Sequence, residues 1–299
     1  MMKRTIRMTL AASATAFVIG LAPATIAAAA GVNAEAAAQV PAEIKERGVL
    51  RVGTNLPYPP MEFFADDGKT PTGVDVDLAS EIATRIGLKV EFVNMNWDGL
   101  IPALNSGRFE MIAASVGDFP ERQKQADFVD YMTTGVSVVV ANTDTADYRT
   151  NLDLCGKRLS AAKGTDASRI ASELAKECTA KGTAGTTVNP FPDDNAGLLA
   201  LRSKRVDAHA MDSISAAYEA STEQGRTHYR NVLPDFAPTK ALYGMVVAKR
   251  NKPLTDAVAL VLSDMIADGA YKAILDKYGV GGEALTAITV NAGGKQDAQ

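Results

Sequence analysis

The segment ASVGDFPERQKQADFVDY, residues 114–131, places one arginine, Arg122, just past an apolar run and a small turn. Pro120 suits the first position of a helix, where its missing N–H is no loss. Helix starts carry free N–H groups, and a guanidinium two residues on adds a forked donor. Arg122 with the backbone of Ser115 to Gly117 could therefore clamp a carboxylate. The competing reading is a surface ion pair of Arg122 with Glu121, Asp118 or Asp127. Asp212 closes the strand-like VDAHAM and opens a helix, where it could accept an ammonium group or act as a plain helix N-cap. Trp97, the only tryptophan, starts the segment WDGLIPAL, and Tyr58 lies in NLPYPPMEF just after a strand-like run. Aromatic rings there could wall a pocket and stack on a ligand, or simply pack.

Other chemistries lack their residues. The CGKR at 155–158 has neither the upstream glycine nor the Ser/Thr of a phosphate-binding loop, and no G-x-G-x-x-G or G-x-S-x-G motif occurs. His209 and His228 are the only histidines and sit far from Cys155 and Cys178, too few ligands for a metal centre and a poor start for a catalytic triad. No metal, cofactor or catalytic residue is expected.

Positioning such groups needs a scaffold, and the ends of the chain say where it works. Lys3, Arg4 and Arg7 precede an apolar stretch from about Leu10 to Leu21 and a run of alanines, which predicts a secretory signal peptide over 1–30. Its loss removes three positive charges and no negative ones, taking the net charge from −4 to −7. That balance argues against nucleic acid and anionic membranes as partners. No cysteine stands where a lipid anchor would attach, so a periplasmic, unanchored protein is expected. In such a compartment an isolated pair, Cys155 and Cys178, reads as one disulfide, the alternative being two buried thiols. The residues that remain suit two domains better than one core.

From Val49 short apolar runs alternate with helical periodicity. VLRVGT reads as a strand, DVDLASEIATRIG as a helix with Leu78, Ile82 and Ile86 on one face, KVEFV as a strand, WDGLIPALNSG as a helix and FEMIAASV as a strand. A second alternation follows, through KRLSAAKG, ASRIASELAKEC, TTVNPF, DDNAGLLALRSKR, VDAHAM and SISAAYEAST, before a strand over ALYGMVVAKR and two closing helices. Two β-α-β units imply two mainly parallel sheets with a cleft at the carboxyl ends of their strands. The alanine-rich residues 31–41 read as a flexible leader, and the polar residues 286–299 as a disordered tail.

The segments IKERGVLRVGTNLPYPPMEF, GVDVDLASEIATRIGLKVEFV, WDGLIPALNSGRFEMIAASVGDFPERQKQADFVDY and LCGKRLSAAKGTDAS, in that order, resemble the extracellular solute-binding proteins of polar amino-acid ABC importers. The resemblance runs from about Ile44 to Gly279. It implies a type II two-lobe α/β fold with lobe 1 over 42–135 and 241–285, lobe 2 over 136–240, and two hinge crossings. It further implies a monomer that binds an amino acid or close derivative and delivers it to an inner-membrane permease, without being an enzyme. Arg122 matches the family's carboxylate clamp and Asp212 its ammonium acceptor. Tyr58 and Trp97 match the rings that sandwich the side chain, Ser115 and Gly117 match strand-end contacts, and the Cys155–Cys178 pair matches a disulfide common there.

Some positions depart from the pattern. Gly117, followed by Asp118, stands where many relatives carry a hydroxyl residue two positions after the strand serine, and Thr165-Asp166 stands where they often read Ser/Thr-Thr. Asn55 occupies a position that is acidic in some binders of cationic ligands. The same superfamily holds prephenate and arogenate dehydratases, which makes such an enzyme the alternative function, with Asp166 or Asp118 as its general acid.

Overall fold

The computed structural model describes residues 31–237 and 240–294, so the signal-peptide reading of 1–30 lies outside the described residues. Two sheets organise the chain. The first runs in the order Ala284–Val290, Ala126–Thr134, Ala241–Ala248, Met111–Gly117, Val49–Thr54, Lys89–Asn94, with the last three parallel. The second runs Tyr229–Leu233, Val136–Ala141, Ala208–Asp212, Arg158–Ala162, Thr187–Phe191, again with the last three parallel. The other pairings are antiparallel, so both sheets are mixed and not mainly parallel as expected, because the strand by which the chain enters each sheet from the other, Val136–Ala141 or Ala241–Ala248, runs against the β-α-β set. The chain passes from the first sheet to the second at Gly135 and returns between Leu233 and Ala241.

The helices follow from apolar spacing. In Val74–Arg85, Leu78, Ala79 and Ile82 are fully buried on one face, while Asp75 and Asp77 sit in the first turn, where the helix dipole favours acids. Gly73 precedes it with φ 125°, and a Cβ there would lie 2.2 Å from the Met61 carbonyl oxygen, so glycine is required. This helix forms the parallel crossover between Val49–Thr54 and Lys89–Asn94. In the second sheet Asp166–Ala180 buries Ile170, Ala171 and Leu174 in the same way.

Cys155 and Cys178 are bonded and tie the turn before Arg158–Ala162 to the last turn of Asp166–Ala180 across 23 residues of sequence. A loop of that length constrains the unfolded chain by about 3 kcal/mol. Among the described residues no helix is long and apolar enough to cross a membrane.

Two segments differ from the sequence reading. The expected flexible leader contains a helix, Ala34–Gln39, capped by Asn33, whose side chain accepts from the Ala36 amide at 2.8 Å. Ala36 is fully buried as this helix packs on Lys252–Asp268. An alanine run reads as a leader by composition, yet alanine is the best helix former and its small side chain allows close packing. The expected disordered tail begins with a strand, Ala284–Val290, paired antiparallel with Ala126–Thr134. ALTAITV is half exposed at a sheet edge, so its pattern carries little burial signal, and register is set by the neighbouring strand.

Candidate functional site

Parallel strands end where the two sheets face each other. Met111–Gly117 delivers Ser115 and Gly117 to this edge, and Ala208–Asp212 delivers Asp212. Two small hollows of about 40 and 30 Å³ lie there, well under the roughly 300–1,000 Å³ of small-ligand sites, so the cleft between the strand ends must widen to admit a ligand. Both are lined by Trp97, Ser115 and Asp212. Arg122, Gly117, Thr165, Asp166 and Tyr243 line the smaller; Asn55, Tyr58, Glu62, Asp193 and Asp194 line the larger.

Among the described residues Arg122 makes no ion pair. The acids that the surface reading assigned to it are engaged elsewhere: Glu121 with Lys124, Asp127 with Lys249, and Asp118 with Gln123 and the Gly293 amide. The guanidinium donates instead to the Gly117 carbonyl at 2.9 Å and, across to the second sheet's side, to the Gly164 carbonyl at 2.7 Å. It lies over the rings of Phe119 at 5.1 Å and Trp97 at 5.5 Å. Burial lowers its pKa, and the carboxylates of Asp166 and Asp212 oppose that shift. A half-buried guanidinium without an acid partner among the described residues is poised for an anion.

Asp212 precedes the helix Ser213–Ser221 but its side chain does not cap it. The carboxylate accepts instead from the Tyr58 hydroxyl at 2.6 Å. Burial raises its pKa to about 6, against the lowering effect of the nearby Tyr243 and Tyr58 hydroxyls. The Tyr243 hydroxyl stays outside full hydrogen-bond geometry and is buried without a partner among the described residues. It adds a polar group to the smaller hollow.

Other residues singled out from sequence are occupied locally. Ser115, in the left-handed region at φ 51°, donates its amide to Asp75 at 2.6 Å, so that N–H is not available to an anion as expected. Its hydroxyl lies 3.2 Å from Asp75 and 3.4 Å from Glu62. Gly117 faces Arg122 through its carbonyl. Thr165 caps Asp166–Ala180, accepting from the Ser168 amide at 3.2 Å and donating to Ala162 at 2.7 Å. Asp166 is held by Arg169 at 2.6 Å, and Asn55 donates to the Met95 carbonyl at 2.8 Å.

Sequence reasoning missed three acids. Glu62 is buried, and desolvation together with the neighbouring Asp75 charge raises its pKa well above the carboxylate range. Its signal was an acid inside the apolar PPMEF. Asp75 is raised to about 6 by burial, against the lowering effect of hydrogen bonds from Tyr131 and Ser115. Asp194 lines the larger hollow with Oδ1 2.9 Å from His209 Nε2, while Ser160 Oγ is 2.9 Å from His209 Nδ1. The His209 ring fills the space of an absent Cβ at Gly197, 2.3 Å from where one would stand. This Ser-His-Asp row is no hydrolytic triad, because Ser160 and His209 are fully buried; it fixes Asp194.

Residues 50–281 match the bacterial extracellular solute-binding proteins, family 3. The chain belongs to this family. The solute-binding protein is 31% identical over 237 residues to the L-cystine-binding protein TcyA of Bacillus subtilis (strain 168), covering 79% of this chain and 83% of that one. It is 28% identical over 250 residues to the arginine-binding protein ArgT of Corynebacterium glutamicum, covering 82% and 79%. Its fold is that of the type II periplasmic binding proteins. Among solved structures, an ancestral arginine-binding protein bound to arginine matches with TM-score 0.69 and 32% identity, over 78% of this solute-binding protein and 99% of that chain. The ancestral amino acid-binding protein AncCDT-1, a precursor of cyclohexadienyl dehydratase, matches with TM-score 0.67 and 30% identity, over 79% and 97%.

Proposed function

We propose that this protein captures an amino acid as a zwitterion between two lobes in the periplasm, as a monomer, and delivers it to an ABC permease without chemical change. The observation that carries the reading is one hollow lined by a guanidinium with no acid partner among the described residues, Arg122, and a half-buried carboxylate, Asp212, from opposite sheets. Arg122 takes the α-carboxylate and Asp212 the α-ammonium, with Trp97 and Tyr58 as side walls. The two sheets with their helices are the lobes, and the crossings at Gly135 and at 234–240 are the hinges, so a ligand touching both lobes favours closure. The two acids named for the dehydratase alternative have other partners, Asp118 accepting from the Gly293 amide and Asp166 engaged by Arg169.

The larger hollow carries the finer assignment. Asp193, Asp194 and Asp212 line it beside Glu62, whose carboxyl burial keeps protonated, and its lining among the described residues has no lysine or arginine. Its ligand is therefore an amino acid with a cationic side chain, and the arginine-binding relatives support this. Calorimetric titration should show L-arginine binding at least about tenfold more tightly than its neutral near-isostere L-citrulline, about 1.4 kcal/mol. Equal affinities would falsify the cationic assignment, and failure of every amino acid to bind overturns the zwitterion reading as well.

The raised pKa of Asp212 gives a pH signature. The charged groups around it are Asp194, Asp166 and the Arg122 guanidinium, with the Tyr58 and Tyr243 hydroxyls beside it. Only the ionised form pairs with an ammonium, so affinity should be full above about pH 7 and fall roughly tenfold by pH 5. Titrations across that range in wild type and Asp212→Asn check it: the wild-type slope should be missing from the variant.

A further inference from the structure

We propose that the segment Asn291–Gly294 is a positioning element for Arg122, which makes the chain beyond the last strand part of the ligand-binding apparatus; this rests on the zwitterion reading above. Gly293 is held at both backbone groups. Its N–H donates to Asp118 Oδ2 at 2.7 Å, and its carbonyl accepts from Gln123 Nε2 at 3.0 Å. Gln123 Nε2 also donates to Asp118 Oδ1 at 2.7 Å, closing a three-residue ring. Asp118 and Gln123 are the two ends of the short segment in which Arg122 stands. The ring therefore fixes both ends of the Arg122 loop to the same point.

The contact is close and built from several sides. A Cβ on Gly293 would lie 1.9 Å from the Asp118 carbonyl oxygen, and one on Gly294 would lie 2.6 Å from Pro120 Cγ. Upstream, Asn291 takes a left-handed φ of 54° and exchanges bonds with Phe128, its amide donating to the Phe128 carbonyl and its Oδ1 accepting the Phe128 amide, each at 2.9 Å. The Ala292 amide donates to Asp130 at 3.2 Å. Asp118 itself is buried, with its own amide bonded to the Leu242 carbonyl at 2.8 Å.

Such anchoring matters because the helix Pro120–Gln123 is four residues long and cannot order itself. The rigidity of Arg122 must come from tertiary contacts, and a clamp fixed before binding loses less freedom when the ligand arrives.

Two variants test this, a chain stopped after Asn291 and Gln123→Ala, each followed by amide hydrogen exchange over Phe119–Lys124 and by calorimetry with L-arginine. Both should keep the wild-type melting temperature within a few degrees, exchange at least tenfold faster over that segment, and bind at least tenfold more weakly. Combining them should weaken binding no further than the truncation alone, since both remove one ring. Wild-type exchange rates in either variant overturn the proposal whether or not L-arginine binds, and wild-type affinity overturns it too. Should the truncated chain fail to fold, Gln123→Ala with its tail intact decides by the same two measurements. Arg122→Gln, run alongside, reports separately on the zwitterion reading, which fails if that variant binds as wild type does.

Discussion

Arg122→Gln and Asp212→Asn should each weaken amino-acid binding by roughly 30-fold to several thousand-fold while the protein stays folded. In a closed cleft, removing one member of a hydrogen-bonded charge pair leaves the ligand's charge buried and unpaired, at a cost of about 2 to 5 kcal/mol. Stability should respond differently. Arg122 pairs with no acid and donates only to two carbonyls, so its loss removes no buried ion pair. The folded-state pKa of Asp212 is raised to about 6, above the unfolded value near 3.9. Its contribution to stability is therefore present below about pH 4 and lost as pH rises through 6. At pH 7 the asparagine variant should melt at or slightly above the wild-type temperature. Calorimetry with L-arginine and a thermal melt of the unliganded variants separate the two effects. A surface role for Arg122 would instead leave affinity within a few-fold, since exposed pairs are worth about 0 to 1 kcal/mol.

Replacing Cys155 and Cys178 by serine should lower unfolding stability by about 3 kcal/mol, the loop-closure contribution of a bridge spanning 23 residues. For a chain of this size that is a fall of roughly 6 to 12 °C in melting temperature. Ligand affinity should hold within a few-fold, because the bridge joins a turn and a helix end while the groups lining the hollows stand at the opposite end of Arg158–Ala162. Reduction of the wild type under alkylation should reproduce the shift. A melting temperature that ignores both treatments contradicts the assignment of stability to this bridge.

Much of the architecture was legible in the chain because periodicity is a local property. Leu78 and Ile82 announce the buried face of one helix, and VLRVGT and FEMIAASV announce parallel strands that are buried on both sides. Pro120 before Arg122 and Asp212 after VDAHAM mark strand ends, which is where such folds gather their chemistry. Charge type at those places pointed to a zwitterion. Composition misled only where it stood in for contact: alanines at 34–39 form a packed helix, and ALTAITV joins a sheet edge supplied by a strand about 150 residues earlier.

Which acids serve which partner was decided by tertiary structure alone. The sequence offers Glu121, Asp118 and Asp127 to Arg122 at equal convenience, yet each is taken by a different group, and one of those groups is a backbone amide 175 residues away. Asp212 had an equal claim to cap its helix until Tyr58, 154 residues upstream, drew its carboxylate into the cleft. Asp75 and Asp194 look like ordinary surface acids in one dimension, and Glu62 stands out only by its apolar neighbours in PPMEF. Burial gives Glu62 and Asp75 raised pKa values, and a histidine held by a serine fixes the direction of Asp194. Spacing along a chain sets which face of an element a side chain occupies, whereas hydrogen bonding and desolvation depend on what packs against that face.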